Sequence, residues 1–429
     1  MTLDWQTQGS QHQREPVAWV NADGTSFTEP AAFDAAAQAE ALNRIRRREH
    51  AIVLSAAFSP DGAYLVAAND AGRVAIWELA PYMRGTSWLP HSTSDDDDGE
   101  GDDANNQSLD MTPDLSFQTG GGAINCLRFV TALDGNCLLL CGADTGALAW
   151  HWRVLLECVE TGECPPEAHV TLRAPQTAGH RGAKLPLPEV NALAVTYCGT
   201  EGVVGACGDA RAYKWDLRTG GVVRPYAGHA AYLLSAATAP AAQQLLVTGA
   251  SDGVVGVWDE RARPEVAFLH PLSDAAGSSS SAQQGGGGLP AGTAGWVSGV
   301  QLGPGGSGWL ACAGGYGEGG GGTAAGGFLA MFHLPTQKLT SARALAAPVN
   351  AMDLCDDSII TVGDEARVSR WGWCHLGHES STRVTAKSGF ALAVNRSGPY
   401  AGVVAAGGRS PEVAICIVPG SVAFSLAFY

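Results

Sequence analysis

The chain has 429 residues, of which 45% are hydrophobic and 16% charged, with 56 glycines and a formal net charge of −16. This acidic balance disfavours nucleic-acid binding through the overall field, because phosphate binding depends on clustered Lys and Arg. The 11 cysteines without a CxxC pair and an amino terminus unlike a signal peptide predict a reducing compartment, and no apolar run reaches the ~20 residues of a membrane helix.

Residues 1–50 form an amino-terminal extension that precedes the repeats described below. Its Ala-rich part, residues 30–48, predicts a short helix. The predicted helix ends in a basic cluster of Arg44, Arg46, Arg47 and Arg48. This cluster is either a solvated helix end or a contact for an acidic partner or RNA, and the sequence leaves both interpretations open.

From residue 51 to residue 429 the chain repeats one unit seven times. Each copy has an apolar strand, a turn with Gly or Asp, and a second strand that in most copies ends on an aromatic residue. The copies end at Trp77, Trp150, Trp215, Trp258, Phe332, Trp371 and Cys416. The shorter separations are close to the ~40–45 residues of a propeller blade. The strands are apolar on both faces, as expected for sheets packed between neighbours, so the sequence predicts an all-β, seven-bladed WD-repeat β-propeller.

The ends of the repeat region predict how the ring closes. Residues 115–118 supply a fourth strand for blade 1, and the alternating segment 422–428 supplies the last strand of blade 7. Every blade then comes from one contiguous segment. The ring is expected to close by packing, without a strand exchanged between its first and last blades.

Four segments interrupt the repeats and are predicted to be disordered or low-complexity inserts. They lie near residues 85–112, 157–185, 271–295 and 313–327. The first contains the acidic run 95–98, which should repel itself. The last overlaps a G-x-G-x-x-G match at 315–320, which has no βαβ unit around it and is explained by Gly-rich composition.

The fourth blade contains the main candidate for chemistry. Ser251 fits the G-x-S-x-G pattern of a hydrolase nucleophile, but the β-rich sequence after it predicts a hairpin turn rather than the required helix. The sequence around this serine also predicts a structural hydrogen-bond network, formed by His229, Thr248, Asp252 and Trp258. His229 is disfavoured as a catalytic base. We therefore predict no enzymatic activity, no cofactor and no metal.

Several segments resemble the THO complex subunit 6 family of WD-repeat proteins. They are residues 55–62 with 72–77, 187–193, 228–261 and 423–428, in the same order as in that family. The resemblance runs from about residue 51 to residue 429, apart from the inserts. It implies a non-catalytic scaffold in the nucleus, associated with other THO/TREX subunits in mRNA processing and mRNA export. RNA would be engaged mainly through the assembly.

Two W-D-x-R sequence motifs, called boxes below, support an alternative function. They end blades 3 and 4, and their candidate adaptor-binding residues are Trp215, Asp216, Arg218, Trp258, Asp259 and Arg261. Such boxes resemble those of substrate receptors for cullin-4 ubiquitin ligases. The arginine could pair bidentately with a partner's carboxylate, or merely with an acid of a neighbouring blade.

Overall fold

The computed structural model describes residues 19–20, 26–27, 51–83, 111–131, 135–176, 186–196, 202–239, 244–261, 267–277, 294–304, 307–317, 325–373, 375–417 and 420–429. It divides into two units, Met1–Glu49 and His50–Tyr429. In the first unit, Trp19–Val20 pairs antiparallel with Ser26–Phe27. The predicted helix over 30–48 and its arginines at 44 and 46–48 lie outside the described residues.

The second unit is an all-β ring. Its described residues form seven four-stranded antiparallel sheets, and each sheet uses consecutive strands of the chain in order. The first strand of each sheet contacts the first strand of the next, and that of the last sheet contacts Val53–Phe58 of the first sheet. This cyclic arrangement confirms the predicted seven-bladed β-propeller.

The strands of blades 1 to 4 follow in chain order. They are Val53–Phe58, Tyr64–Asn69, Arg73–Glu78 and Leu115–Gln118; Ile124–Thr131, Cys137–Ala143, Gly146–His151 and Val170–Leu172; Val190–Thr196, Gly202–Cys207, Arg211–Asp216 and Val222–Ala227; and Leu233–Thr238, Leu245–Ala250, Val255–Asp259 and Ala267–Leu269.

Blades 5 to 7 have the same organisation. Their strands are Gly295–Leu302, Trp309–Tyr316, Gly326–His333 and Lys338–Leu345; Val349–Cys355, Ser358–Gly363, Arg367–Gly372 and His378–Arg383; and Gly389–Val394, Val403–Gly408, Glu412–Ile417 and Ser421–Ala427. Short helices lie between strands at Ala80–Met83, Trp152–Thr161, Pro271–Gly277 and, as a 3-10 turn, Gly398–Tyr400. No helix in the described part of the chain is long and apolar enough to span a membrane.

The second strand of each blade has its side chains largely buried on both faces. In Gly202–Cys207, Ser358–Gly363 and Val403–Gly408 every residue is buried. Burial on both faces is the reason that these strands are apolar runs rather than alternating sequences. The fourth strands lie at the rim and are more exposed, as Val222–Ala227 is.

One extra residue bulges from the first strand of every blade. The bulged residues are Leu54, Asn125, Asn191, Leu234, Ser298, Asn350 and Phe390. Where the residue is polar, it bonds to the next blade: Asn191 Nδ2 donates to the Leu233 carbonyl at 2.8 Å, and Asn350 Nδ2 donates to the Gly389 carbonyl at 3.1 Å. A bulge re-aims a side chain out of the sheet, so these bonds join consecutive blades around the axis.

Blade 7 closes the ring by packing against blade 1. Residues Leu115–Gln118 complete blade 1, as the sequence predicts. Trp77 and Phe428 are fully buried, with ring centroids 6.1 Å apart in an edge-to-face arrangement. Asn69 Nδ2 donates to the Tyr429 hydroxyl at 2.7 Å, and Asn395 Nδ2 donates to the Gly62 carbonyl at 3.0 Å. The Ala427 amide also donates to the Met111 carbonyl at 2.8 Å, so apolar contact and these three hydrogen bonds replace an exchanged strand.

The structure differs from the predicted inserts in three places. The segment 157–185 contains the end of the helix Trp152–Thr161 and the fourth strand of blade 2, Val170–Leu172. The helix packs on the sheet because Trp152, Leu155 and Cys158, three residues apart, are buried on one face. The segment 271–295 begins with the helix Pro271–Gly277.

The Gly-rich insert of blade 5 is shorter than predicted. Strand pairing continues to Tyr316 opposite Gly326. A side chain at Gly314 would place its Cβ 1.8 Å from the Trp296 carbonyl oxygen, and one at Gly315 would meet the Trp296 indole at 2.3 Å. These two glycines are therefore required by the close approach of Trp296, and composition alone does not explain them.

We expect Phe428→Ala to destabilise the ring by about 3–5 kcal/mol, because it removes a fully buried aromatic ring from the contact between blades 7 and 1. Urea denaturation followed by tryptophan fluorescence measures the change. The control is Tyr232→Ala, since Tyr232 is 52% exposed and should change the free energy of unfolding by no more than ~0.5 kcal/mol. Equal effects of the two variants would contradict closure through Phe428.

Candidate functional site

The predicted polar residues of blade 4 meet at one end of the sheet. Trp258 Nε1 donates to Thr248 Oγ1 at 2.9 Å, and His229 Nε2 lies 2.8 Å from the same oxygen. A hydroxyl can accept the indole proton and donate its own to an unprotonated imidazole nitrogen. With that tautomer the His229 Nδ1 proton faces Asp252, whose Oδ1 is 4.0 Å away.

The carboxylate of Asp252 mainly accepts hydrogen bonds from backbone amides. Its Oδ1 accepts from the Val254 amide at 3.0 Å, and its Oδ2 accepts from the Ala230 amide at 3.3 Å. Burial lowers the pKa of His229 below its ordinary value of 6.5, and the nearby Asp252 carboxylate opposes this shift. A neutral, buried imidazole fixed to a threonine suits a structural link between the hairpin and the preceding connector.

Ser251 lies in the turn between Leu245–Ala250 and Val255–Asp259. Its amide donates to the Tyr232 carbonyl at 3.0 Å, and the Gly253 amide donates to the Ala250 carbonyl at 3.2 Å. Gly253 adopts φ 78°, which a tight turn requires and most residues avoid. The chain continues as a strand, so this segment does not form the strand-to-helix elbow of a hydrolase nucleophile.

The two W-D-x-R boxes have different local structures. In the first, Asp216 Oδ1 accepts from the amides of Arg218 and Thr219, at 2.8 and 3.1 Å, and Arg218 is exposed. In the second, Arg261 forms a two-bond pair with its own Asp259: Nε to Oδ1 at 2.9 Å and Nη2 to Oδ2 at 2.7 Å. The two arginines are therefore not equivalent as contacts for a partner.

Glu260, the variable residue of the second box, makes a buried ion pair that sequence reasoning missed. Its Oε2 lies 2.9 Å from Lys214 Nζ, and the two side chains are 3% and 7% exposed. The Thr196 hydroxyl donates to the same oxygen at 2.7 Å, and Arg224 Nη1 donates to the Glu260 carbonyl at 2.8 Å. Glu260 thereby joins blade 4 to blade 3. The only signal in the sequence is a lysine inside an apolar strand.

Comparison with known proteins gives two kinds of similarity. The family described as WD domain, G-beta repeat, matches residues 43–78 and 220–259. The chain is 25% identical over 388 residues to THO complex subunit 6 of Homo sapiens, covering 89% of this chain and 94% of that protein. It is 26% identical over 316 residues to THO complex subunit 6 of Arabidopsis thaliana, covering 73% of this chain and 74% of that protein. It is 25% identical over 397 residues to the THO complex subunit 6 homolog of Mus musculus, covering 91% of this chain and 96% of that protein.

The fold and the repeat matches together define a WD-repeat β-propeller. Within that class, the chain is similar over most of its length to proteins named THO complex subunit 6 from two mammals and a plant. The resemblance seen in the sequence is confirmed at the level of the family. The similarity covers 73–91% of this chain, well beyond the two repeat matches at residues 43–78 and 220–259.

We expect Thr248→Val to destabilise the protein more than Thr361→Val. Both threonines are buried and accept a bond from a tryptophan ten residues later, but only Thr248 also contacts a histidine. Each buried polar group left unpaired costs about 1–3 kcal/mol, and Thr248→Val leaves two. Chemical denaturation of both variants, with Thr248→Ser as the conservative control, measures the difference. A larger loss for Thr361→Val would contradict the network.

We also expect His229 to make stability depend on pH. Because its pKa is lowered by burial, the unfolded chain takes up a proton at higher pH than the folded chain. Its contribution is complete above the ordinary value of 6.5 and is lost as the pH falls below it. The free energy of unfolding should decline less on acidification in His229→Gln than in the wild type, and more in Asp252→Asn. Equal slopes in all three proteins would contradict this assignment.

Proposed function

We propose that the protein is a non-catalytic scaffold subunit of the THO/TREX assembly, acting in the nucleus in mRNA processing and export. The observation that carries this proposal is the similarity to proteins named THO complex subunit 6, which spans 89% of this chain and 94% of the human protein. A match of that extent includes the rim and loops as well as the blade cores. Rim and loop positions are where binding residues usually lie.

The exposed apolar residues of the ring support a role in protein association. Val222 is 37% exposed and Val223 53% exposed at the start of the outer strand of blade 3, and Tyr232 is 52% exposed in the connector to blade 4. Val222 and Val223 are consecutive in the outer strand of blade 3, whose exposed apolar side chains are available for contact with a partner protein. We propose that Val223 and its neighbours contact another THO subunit.

RNA is proposed to be engaged through the assembly rather than by this ring directly. The formal net charge of −16 creates an unfavourable field for a phosphate backbone. Protein contacts are less sensitive to this charge, because apolar burial and paired charges supply their affinity.

Affinity purification of the tagged protein from nuclear extract treated with RNase should recover other THO subunits. We expect Val223→Glu to reduce this recovery, because it replaces an exposed apolar side chain with a charged one. The matched control is Arg153→Glu, at a position 90% exposed on the helix of blade 2, which should retain recovery. Failure of the wild type to recover THO subunits would contradict the proposed function.

A second candidate rests on the first W-D-x-R box, because Arg218 is exposed and able to reach a partner. In that case the protein is a substrate receptor of a cullin-4 ubiquitin ligase. Arg218→Ala together with Arg261→Ala would abolish recovery of the ligase adaptor and leave THO association intact. Recovery of the adaptor without THO subunits would favour this candidate over the first.

A further inference from the structure

A groove of about 510 Å³ lies between blades 5 and 6. It is at the edge of the ring where the last strand of blade 5 connects, through residues 346–348, to the first strand of blade 6. Its walls include Arg343, Arg367, Ser369, Trp371, His378 and Ser381. None of these residues belongs to the network of blade 4 or to the W-D-x-R boxes.

The groove occupies the position that the histidine network fills in blade 4. Strand pairing places Thr361 opposite Ser369, as it places Thr248 opposite Gly256. Trp371 Nε1 donates to Thr361 Oγ1 at 2.8 Å, which reproduces the bond of Trp258 in blade 4. The two blades therefore share the same tryptophan–threonine floor.

The side chains above this floor differ. In blade 4, the rings of His229 and Phe268 pack 5.4 Å apart, and Phe268 lies opposite Gly256. In blade 6, the position opposite Ser369 is Ser381, and the connector 346–348 reads Ala-Ala-Pro. The Phe268 ring is thus replaced by a serine side chain, and the connector that carries His229 in blade 4 has no aromatic residue in blade 6. The groove lies where these rings are absent.

Positive charge is concentrated at the groove. Arg343 stacks over Trp371 with its guanidinium carbon 5.4 Å from the ring centroid, and its Nη1 donates to the Leu376 carbonyl at 2.9 Å. Arg367 Nη1 donates to Ser381 Oγ at 3.2 Å. Both partners are neutral oxygens, so neither bond cancels the charge of the arginine.

Strand pairing places a further arginine beside Arg367, outside the residues that line the groove. Arg367 lies directly opposite Arg383 in the antiparallel pair, and like charges in this position destabilise a sheet. An anion bound beside these arginines would relieve the repulsion. Such an arrangement is unexpected in a chain with a formal net charge of −16, where acidic residues outnumber basic ones.

We propose that this groove binds an acidic peptide segment of a partner protein, whose Glu or Asp carboxylates bind Arg343 and Arg367. Guanidinium groups bind carboxylates through paired, charge-assisted hydrogen bonds. Leu345, Pro348 and Trp371 supply an apolar wall for the rest of the peptide side chains, and Glu365 lines the same groove, which disfavours a polyphosphate backbone. The inference does not depend on the assignment to a THO complex.

The test uses a fluorescein-labelled oligo-glutamate peptide, with an oligo-glutamine peptide of the same length as its neutral control. Fluorescence anisotropy with the purified full chain should show saturable binding of the glutamate peptide, weakened by salt, and no binding of the glutamine peptide. Labelled oligouridylate is measured in parallel. Tighter binding of oligouridylate at the same groove would overturn the acidic-peptide proposal in favour of RNA.

Two variants locate the site. Arg367→Gln should weaken binding at least about tenfold by removing a charge-assisted bond. Ser381→Phe should weaken it similarly without a change in charge, because it rebuilds the ring that fills the corresponding space in blade 4. Arg153→Gln, which removes the same charge from an exposed position of blade 2, should bind as the wild type does.

Thermal unfolding of each variant verifies that the ring remains folded. Equal affinity of the wild type for the two peptides would overturn the proposal, as would unchanged binding by both Arg367→Gln and Ser381→Phe. Because the peptides are tested on the isolated protein, a negative result here is distinct from failure to recover THO subunits from nuclear extract.

Discussion

The ring depends on the packing of blade 7 against blade 1, because every sheet is built from one contiguous segment and no strand is exchanged. Opening the ring would therefore break side-chain contacts and a few hydrogen bonds, but no strand pairing. The buried surface around Trp77 and Phe428 supplies the apolar part of this contact. The bond from Asn69 to Tyr429 fixes its geometry, and Arg73 covers the Tyr429 ring at 5.4 Å. Closure thus rests mainly on apolar burial, which is non-directional, with polar bonds selecting one register.

In five blades a tryptophan lies at the end of the third strand, and its buried indole N–H donates to different kinds of acceptor. In blades 1 to 3 the tryptophan donates to a loop carbonyl: Trp77 to Met111 at 3.3 Å, Trp150 to Pro166 at 3.0 Å and Trp215 to Arg173 at 3.1 Å. In blades 4 and 6 it donates to a threonine of the neighbouring strand. A buried N–H needs a hydrogen-bond acceptor. In blades 1 to 3 a carbonyl of a segment that interrupts the repeats takes the place of the threonine hydroxyl, so these segments help to stabilise the ring.

Local patterns in the sequence determine the elements that could be predicted. The number of blades, the strand-ending aromatics, the Asp252 turn and the contiguous blade 1 all follow from residues close together in the chain. The missed features join residues that are distant in the chain and share no repeat pattern. Lys214 meets Glu260 across a blade boundary, and Trp296 excludes side chains from Gly314. Apart from the lysine inside an apolar strand, charge and composition at these positions are ordinary, and only the ring brings the positions together.

The same distinction applies to the candidate sites. Both W-D-x-R boxes have the same sequence pattern, but Arg261 is held by Asp259 while Glu260 is held by Lys214, so the second box is tied into the ring at two points. A partner that took Arg261 would have to displace a two-bond ion pair, whereas Arg218 is exposed and its Asp216 is engaged with backbone amides. Repeated motifs in a propeller are therefore unequal as binding sites, because each blade uses part of its motif to hold its neighbours. The residues left available for recognition differ from blade to blade, and only the contacts between blades identify them.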